Sequence, residues 1–410
     1  MDGPSSDSGK RPRALFLSPE SPYPMVGGGP LRSASILAYL AERYAVHAIV
    51  FHQESDPDPA RVFPAGMVDR LDVVELPHHS KRPAARAMRN AVRLVRRRPP
   101  LFDRFSGFEE AIGKLAAGGE YDAAVIEHFW CAPYCSELRA VSKRVILDLH
   151  NVESAWHRSL AECEGGMRAV ALREFAAASE KLERRWLPEF DHLLVTSTDD
   201  EKLVRRAAGE KRITVYPNAL PERPREEREE REEIIFSGNL EYEPNIIAVR
   251  FFYEQIWPSL RSRWGNLKWR IAGKHAEAMR GMMGDDPRIE ASGIADDAVT
   301  ILAGAKVAVV PVLAGSGTRI KILEAWAAGT AVVSTTVGAA GLDCRDGKHI
   351  MLADDPGSFT ECVSELLESS EKRRELGAAG RKFYEERFTW PVVWRRLDSI
   401  FGNDVSRAYV

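Results

Sequence analysis

Short apolar, β-branched runs alternate with helical segments along nearly the whole chain. Continuous apolar strands separated by helices are typical of parallel sheets that are covered on both faces. The runs fall into two series of six, which predicts an α/β protein with two tandem Rossmann-like domains facing each other across a cleft. The candidate strands are ALFLS (14–18), VHAIVF (46–51), DVVEL (72–76), AAVIEH (123–128), VILDLH (145–150), HLLVTS (192–197), EIIFSG (233–238), LKWRIAG (267–273), RIEASG (288–293), VAVVPV (307–312), AVVST (331–335) and HIMLA (349–353).

The same pattern sets the expected domain boundaries. A polar lead over 1–12 is expected to be disordered, and the first domain follows over 13–216. A linker over 217–232 is nearly devoid of apolar residues, and the second domain follows over 233–387. The tail over 388–410 has apolar residues at helical spacing, so we expect a helix that crosses back to the first domain to bury that face.

Composition narrows the class of protein. The chain has 410 residues, 44% of them apolar and 29% charged, which is typical of a soluble globular protein. A net charge of −3 gives no reason to expect nucleic acid as a partner. No run of about 18 apolar residues is present. The cysteines are scattered without metal-ligand spacing, so we expect free thiols of a cytoplasmic protein and no metal site; they are Cys131, Cys135, Cys163, Cys344 and Cys362.

Glycine ends many of the candidate strands. In an open parallel sheet, ligands bind at the carboxyl ends of the strands. Gly28 and Gly29 precede a helix, where backbone amides can approach a phosphate, and Gly238 and Asn239 follow the first strand of the second series. The first loop lacks the G-x-G-x-x-G spacing, which disfavours a nicotinamide dinucleotide. Each such glycine taken alone is also compatible with a simple tight turn.

The segment GSGTRIKILEAWAAG combines small residues with charges at the start of a helix. Ser316, Gly317 and Thr318 are expected to supply a cap and free amides for a diphosphate. At 100° per residue, Gly317, Lys321 and Glu324 share one face of the helix, whereas Arg319 points elsewhere.

This face suits a nucleotide. Lys321 can meet a phosphate, and Glu324 can accept hydrogen bonds from the two hydroxyls of a ribose. The alternative is an ordinary ion pair between these two residues on the surface.

Several segments resemble the family-4 glycosyltransferases, which are retaining enzymes of the two-Rossmann GT-B architecture. The similarity is carried by GSGTRIKILEAWAAGTAVVSTTVGAAGL, DGKHIMLADDPGSFTECVSELL, FSGNLEYEPNIIAVRFFYEQIWPSL, VYPNALP, LDLHNVES and FTWPVVW. The resemblance implies transfer of a hexosyl group from a nucleoside diphosphate sugar to an acceptor hydroxyl with retention at the anomeric carbon. It also implies that the second domain binds the donor, that the first binds the acceptor, and that no metal or other cofactor is required.

The resemblance also assigns roles to residues. Glu324 matches the second of two family glutamates, whereas the position of the first is Ser316. The positions of the cations that usually hold the diphosphate are Asn239 and Asn245, so Lys321, with Arg319 as second choice, is expected to replace them.

Other residues are placed at the two substrates. His150 is similar to the histidine beside the donor sugar, although a strand-end histidine bonded to a neighbouring loop is the alternative. Backbone near Gly293 and Ile294 is expected to contact the base. Candidates on the acceptor side are Glu127, His128 and Trp130.

The segment KRPAARAMRNAVRLVRRRPPLFDRF (81–105) is strongly basic and has an apolar stripe at helical spacing. A basic amphipathic helix over 81–98 can lie on anionic lipid at the inner face of a membrane, and packing of the stripe against the first domain is the alternative. Nucleic-acid binding is disfavoured because interleaved aromatic residues are lacking.

Two further functions stay open at this point. One is an epimerase or phosphorylase of the same architecture, and the other is a non-catalytic protein that binds sugar nucleotides. Turnover of the donor would separate the three.

Overall fold

The computed structural model describes residues 11–80, 82–225, 228–284, 286–293, 297–315 and 317–405. Most of the predicted disordered lead lies outside these residues, as do Ser316 and Ile294.

The first domain is built on a parallel sheet with the strand order β3-β2-β1-β4-β5-β6-β7. Its strands are β1 (Arg13–Ser18), β2 (Ala45–His52), β3 (Arg70–Glu75), β4 (Ala123–Glu127), β5 (Val145–Asp148), β6 (His192–Val195) and β7 (Arg212–Val215). The strand β7 was not predicted from the sequence. It is a short edge strand whose residues are only half-buried or exposed, so it lacks the continuous apolar run that marks the central strands.

Helices cover both faces of this sheet. They are α1 (Gly28–Arg43), α2 (Pro59–Val62), α3 (Pro83–Arg96), α4 (Pro100–Arg104), α5 (Glu109–Ala116), α6 (Cys135–Arg139), α7 (Glu153–Cys163), α8 (Gly166–Trp186) and α9 (Thr198–Ala208).

The second domain repeats the plan with the order β10-β9-β8-β11-β12-β13, again all parallel. Its strands are β8 (Arg231–Ser237), β9 (Lys268–Ala272), β10 (Ile289–Ser292), β11 (Ala305–Val310), β12 (Ala331–Ser334) and β13 (Met351–Leu352). Its helices are α10 (Glu243–Phe251), α11 (Trp257–Arg263), α12 (Arg280–Met283), α13 (Ala298–Leu302), α14 (Ile320–Ala328), α15 (Pro356–Glu368) and α16 (Ser370–Arg387). The predicted pair of Rossmann-like domains is confirmed.

The last helix, α17 (Trp390–Val405), crosses back to the first domain. Val393, Leu397 and Phe401 are buried in one apolar cluster with Phe16 and Tyr39 of the first domain. The crossing predicted from the apolar spacing of the tail is confirmed.

The charged segment between the domains is anchored to the second domain. Arg223 Nη1 donates to Asp297 Oδ1 over 2.7 Å, and Arg373 Nη2 donates to Glu230 Oε2 over 2.5 Å. These side chains hold the segment by ion pairs in place of apolar packing.

The strand order reverses between β1 and β4 and again between β8 and β11. Ligands of open α/β sheets bind at such points, beyond the carboxyl ends of the strands. The five cysteines, all within the described ranges, are free thiols. No helix in the described part of the chain is both long and apolar enough to cross a membrane.

Candidate active site between the two sheets

The two domains meet where the glycine loop after β11 reaches the end of β5. Gly317 has a φ of 78°, and a Cβ at this position would lie 2.8 Å from the carbonyl oxygen of His150. Asn218 Nδ2 donates to the carbonyl oxygen of Thr318 over 2.8 Å. The loop that was predicted to bind a diphosphate therefore also forms the contact between the domains, and only glycine fits there without strain.

A buried ion pair joins α1 to the end of β5 in the first domain. From α1, Arg32 donates through Nε to Asp148 Oδ2 over 2.7 Å and through Nη2 to Asp148 Oδ1 over 2.5 Å. Arg32 Nη1 also donates to the carbonyl oxygen of Tyr216 over 2.6 Å. Both side chains are buried, so this bidentate ion pair fixes the end of β5 against α1.

His150 lies against two carboxylates. Its Nε2 is 2.8 Å from Glu127 Oε2 and 3.2 Å from Asp148 Oδ2. Burial lowers the pKa of His150, but hydrogen bonds and charge from Asp148 and Glu127 outweigh it, so the net pKa is raised. The arrangement favours the imidazolium and leaves Nδ1 as the ring nitrogen that can reach a ligand.

The predicted acceptor-side residues form a stack beside His150. The ring centroid of His128 is 3.5 Å from that of His150 and 4.2 Å from that of Trp130. Burial, together with the charges of His150 and Arg32, holds the pKa of His128 well below its usual value, so His128 is neutral. Its φ of 62° is uncommon for a residue with a side chain.

Glu127 is fully buried and contacts Nε2 of His150 from the interior of the domain. Its Oε2 also accepts from Ser33 Oγ over 2.8 Å. Trp130 Nε1 donates to Glu153 Oε1 over 2.8 Å, and burial raises the pKa of Glu153 to about 7. The Glu127 carboxylate is therefore not accessible to a ligand, whereas the Trp130 side chain is half-buried.

The same cluster brings three potential metal ligands together. Atoms of Glu127, Asp148 and His150 lie within 4.8 Å of one another. Both oxygens of Asp148 are already bonded by the Arg32 guanidinium, which also places a fixed positive charge beside the cluster. These contacts favour a hydrogen-bonded charge network over a divalent cation at this point.

The first turn of α1 lies in the cleft between the domains. Gly28 and Gly29 do not precede the helix, as was predicted, but are its first two residues, after Gly27 as N-cap. A Cβ on Gly29 would lie 2.3 Å from Glu20 Oε1 and 3.7 Å from His128 Nε2, and one on Gly28 would lie 3.4 Å from Ile320 of α14. The predicted glycines thus lie close to both the His128 stack and the helix that carries Lys321.

Lys321 occupies the carboxyl end of β8. Its Nζ donates to Asn245 Oδ1 over 2.5 Å, and it lies 4.7 Å from the ring centroid of Phe236. A Cβ on Gly238 would be 3.3 Å from this Nζ. Burial and the nearby charge of Arg319 lower the pKa of Lys321 to about 7, with Glu324 opposing them only in part.

Glu324 faces the same strand end. Its Oε2 lies 3.5 Å from Ser237 Oγ. Burial raises the pKa of Glu324 to about 7, although Lys321 and Ser237 act in the opposite direction. Lys321 and Glu324 are not within ion-pair distance of each other. The structure therefore does not show the alternative, an ion pair between these two residues on the surface.

One prediction for the start of α14 was wrong. The helix begins at Ile320 after Arg319, which makes no capping bond through its side chain, so Thr318 is not the cap. Thr318 Oγ1 accepts from the backbone N–H of Asn218 over 3.2 Å instead. The Arg319 guanidinium lies beside Gly315, where its Nη2 would be 2.9 Å from a Cβ, and its charge helps to lower the pKa of Lys321. Because Arg319 precedes the helix, the helical wheel does not fix its direction.

The remaining predicted donor residues lie at neighbouring strand ends. The carbonyl oxygen of Asn239 accepts from Asn245 Nδ2 over 2.8 Å. Gly293 follows β10, and a Cβ there would be 3.1 Å from Glu277 Oε1. The role of this stretch in base recognition stays a prediction.

Some residues of the cleft were not singled out from the sequence. Arg32 lies on α1, one turn after Gly28. Asp148 ends a strand two residues before His150, so its position at the strand end was the available signal. Trp156 Nε1 donates to Tyr242 Oη over 2.9 Å across the domains. Nothing in the local pattern marked that aromatic pair.

Comparison with known proteins identifies the second domain. Residues 231–369 match the family model described as glycosyl transferases group 1. Residues 231–369 are a group 1 glycosyl transferase domain. Its Lys321, Glu324 and Gly238 therefore lie in the part of the chain that the family model covers.

Part of the chain is also similar to curated proteins. The chain is 31% identical over 83 residues to a D-inositol 3-phosphate glycosyltransferase of Corynebacterium diphtheriae, which covers 20% of this chain and 19% of that protein. The chain thus spans about a fifth of that relative's length.

Solved structures match over nearly the whole chain. A sucrose-phosphate synthase of Thermosynechococcus elongatus has a TM-score of 0.72 at 16% identity and covers 97% of this chain and 100% of that one. Anabaena HepE in complex with UDP-glucose has a TM-score of 0.62 at 14% identity and covers 95% of this chain and 99% of that one. Together with the two matched sheets, these likenesses show that the fold is GT-B.

Proposed function

We propose that this protein transfers a hexosyl group from a nucleoside diphosphate sugar to an acceptor hydroxyl with retention at the anomeric carbon. One observation carries the proposal. Lys321 and Glu324 lie together at the end of β8, and the loop that leads into their helix contacts His150 of the first domain through Gly317. Retention rests on the resemblance to the family-4 enzymes.

In this proposal the second domain holds the donor. Glu324 accepts hydrogen bonds from the ribose diol, and Lys321 with the amides of the Gly238 and Gly317 loops contacts the diphosphate. In the group 1 domain the contact between Lys321 and Asn245 supports the idea that a lysine on α14 replaces the family's cations at the end of β8.

The charge of Lys321 changes with the ligand. A pKa of about 7 leaves the ammonium only partly charged before binding. A diphosphate favours the charged form, so binding draws a proton to Nζ and sets a full cation beside the leaving group. This cation and the oriented amides offset the charge that develops on the diphosphate, which supports transfer without a metal ion.

The first domain completes the site. Glu127 and Asp148 hold His150 charged and oriented, with Nδ1 left for the donor sugar. The acceptor is proposed to bind beside the stack of His128 and Trp130, where Trp130 is half-buried next to the polar cluster of His150. The HepE complex contains UDP-glucose, which is the chemistry proposed for this donor site.

A thermal-shift screen with nucleoside diphosphates and their sugars tests the proposal. A ligand of the folded state raises the melting temperature because it adds RT ln(1 + [L]/Kd) to stability. We expect one base to stabilise the wild type, with the sugar nucleotide then hydrolysed slowly alone and faster with acceptor. If the sugar is altered in place, an epimerase is indicated; binding without any turnover indicates a sensor.

A further inference from the structure

The helix α3 is amphipathic but turned outward. Its apolar residues occupy one side of the helical wheel, and Met88 and Val95 are 69% and 85% exposed. Ala84, Ala87 and Ala91 on the same side are exposed as well. A surface helix normally buries this face, so the orientation is the reverse of what packing against the domain would produce.

The polar side of α3 faces the protein. Arg93 Nε donates to Asp103 Oδ2 over 2.9 Å, and Arg89 Nη2 donates to the carbonyl oxygen of Ser80 over 2.8 Å. Both arginines are partly buried, whereas Met88 and Val95 are not. The alternative that the apolar stripe packs against the first domain is therefore wrong.

Exposed cations lie on α3 and at its two ends. Arg82, Arg86, Arg96, Arg97 and Arg98 are exposed, and in the described part of the chain they form no ion pair. An exposed apolar stripe on a helix with such uncompensated cations is complementary to a bilayer with anionic headgroups, which takes up the apolar side chains and attracts the arginines.

A second helix also exposes apolar side chains. The helix α8 contacts α3, and its first turn exposes Met167 and Val170 by 91% and 55%. Next to Met167, Arg168 Nη2 lies 2.6 Å from Glu243 Oε1 of the second domain. The first turn of α8 is thus both exposed and apolar and at the junction of the two domains.

We propose that α3 and the first turn of α8 dock the protein on an anionic lipid bilayer, with the apolar side chains inserted and the arginines on the headgroups. This goes beyond the proposed transfer reaction and does not depend on it. Since α8 borders the cleft, docking would bring the mouth of the cleft to the bilayer surface.

The test is co-sedimentation of the full-length protein with vesicles. Roughly equimolar phosphatidylglycerol and phosphatidylcholine should bind the protein at low salt, pure phosphatidylcholine should not, and salt of about 0.5 M, where the screening length is about 4 Å, should release it. The double substitution Met88→Ser with Val95→Ser should weaken binding about tenfold or more, because both insertions are lost.

Two double variants that each remove two positive charges test the contribution of the arginines to binding. Arg86→Gln with Arg96→Gln should also weaken binding about tenfold, whereas Lys202→Gln with Lys382→Gln, which removes the same charge from other exposed helices, should not. All four positions are exposed, so an unchanged circular dichroism spectrum is expected. Equal binding to both vesicle types, binding to neither, or full binding by the serine variant overturns the proposal. The proposal is also overturned if sedimentation velocity shows a dimer for the wild type and a monomer for the serine variant, since the stripe would then bind a second copy of the chain.

Discussion

Lys321 Nζ donates a hydrogen bond to Asn245 Oδ1 over 2.5 Å, which ties α14 to the helix that follows β8. Asn245 stands at one of the positions where the resembling family has a cation. In the proposed site the lysine thus supplies from α14 a charge that Asn239 and Asn245 do not carry.

Glu324→Ala should weaken binding of the nucleoside diphosphate by about 1.5–3 kcal/mol, the range for hydrogen bonds to a charged group. Titration calorimetry measures the change. Glu361→Ala is the control because Glu361 is exposed on α15 of the same domain. Unchanged affinity in Glu324→Ala would rule out its contact with the ribose.

Donor affinity should peak near pH 7. Above it Lys321, with a pKa of about 7, loses its charge, and below it Glu324, also with a pKa of about 7, becomes protonated and accepts fewer hydrogen bonds. Calorimetry with a sugar nucleotide across pH measures both limbs. Lys321→Arg should flatten the alkaline limb, since arginine stays charged, and Glu324→Gln the acid limb. A profile without a maximum in the wild type contradicts this account.

Gly317→Ala should lower kcat because the new Cβ meets the carbonyl oxygen of His150. Gly347→Ala is a matched control: Gly347 has a φ of 67°, but nothing lies within 4 Å of a Cβ there. Both variants carry a backbone penalty of about 1–2 kcal/mol, so both melting temperatures should fall, and the contact with His150 should lower that of Gly317→Ala further. Equal kcat values for the two variants would show that the contact between the domains is unimportant for turnover.

Arg32→Leu should destabilise the protein by about 3–5 kcal/mol, because it leaves Asp148 buried without its main partner. Urea denaturation measures the loss. Arg139→Leu breaks a surface ion pair, in which Arg139 Nη1 donates to both carboxylate oxygens of Asp191, and should cost at most about 1 kcal/mol. Similar losses in both variants would mean that burial of the Arg32 pair has no special consequence.

The two sheets could be predicted because parallel strands buried on both faces give continuous apolar runs, and the crossing of α17 could be predicted from the spacing of Val393 and Leu397. The strand β7 lacks that signal. The shared face of Lys321 and Glu324 followed from helix geometry alone, whereas Arg319 precedes the helix, so the helical wheel does not fix its direction.

Contacts between distant segments were beyond the sequence pattern. Arg32 and Asp148 are 116 residues apart, and nothing local indicates that they pair. The outward apolar face of α3 depends on Arg93 reaching Asp103, so a helical wheel showed the two faces but not which one faces the protein.

The most direct test of the account is the turnover of Lys321→Ala with the sugar nucleotide selected by the thermal-shift screen. A departing diphosphate needs more charge stabilisation in the transition state than in the ground state, so the substitution should lower kcat more than it raises KM for the donor. We expect kcat to fall by about 10²–10³, with partial recovery in Lys321→Arg. Normal turnover by Lys321→Ala would contradict the central claim that this lysine stabilises the leaving group, and loss of turnover in Arg319→Ala alone would transfer that role to Arg319.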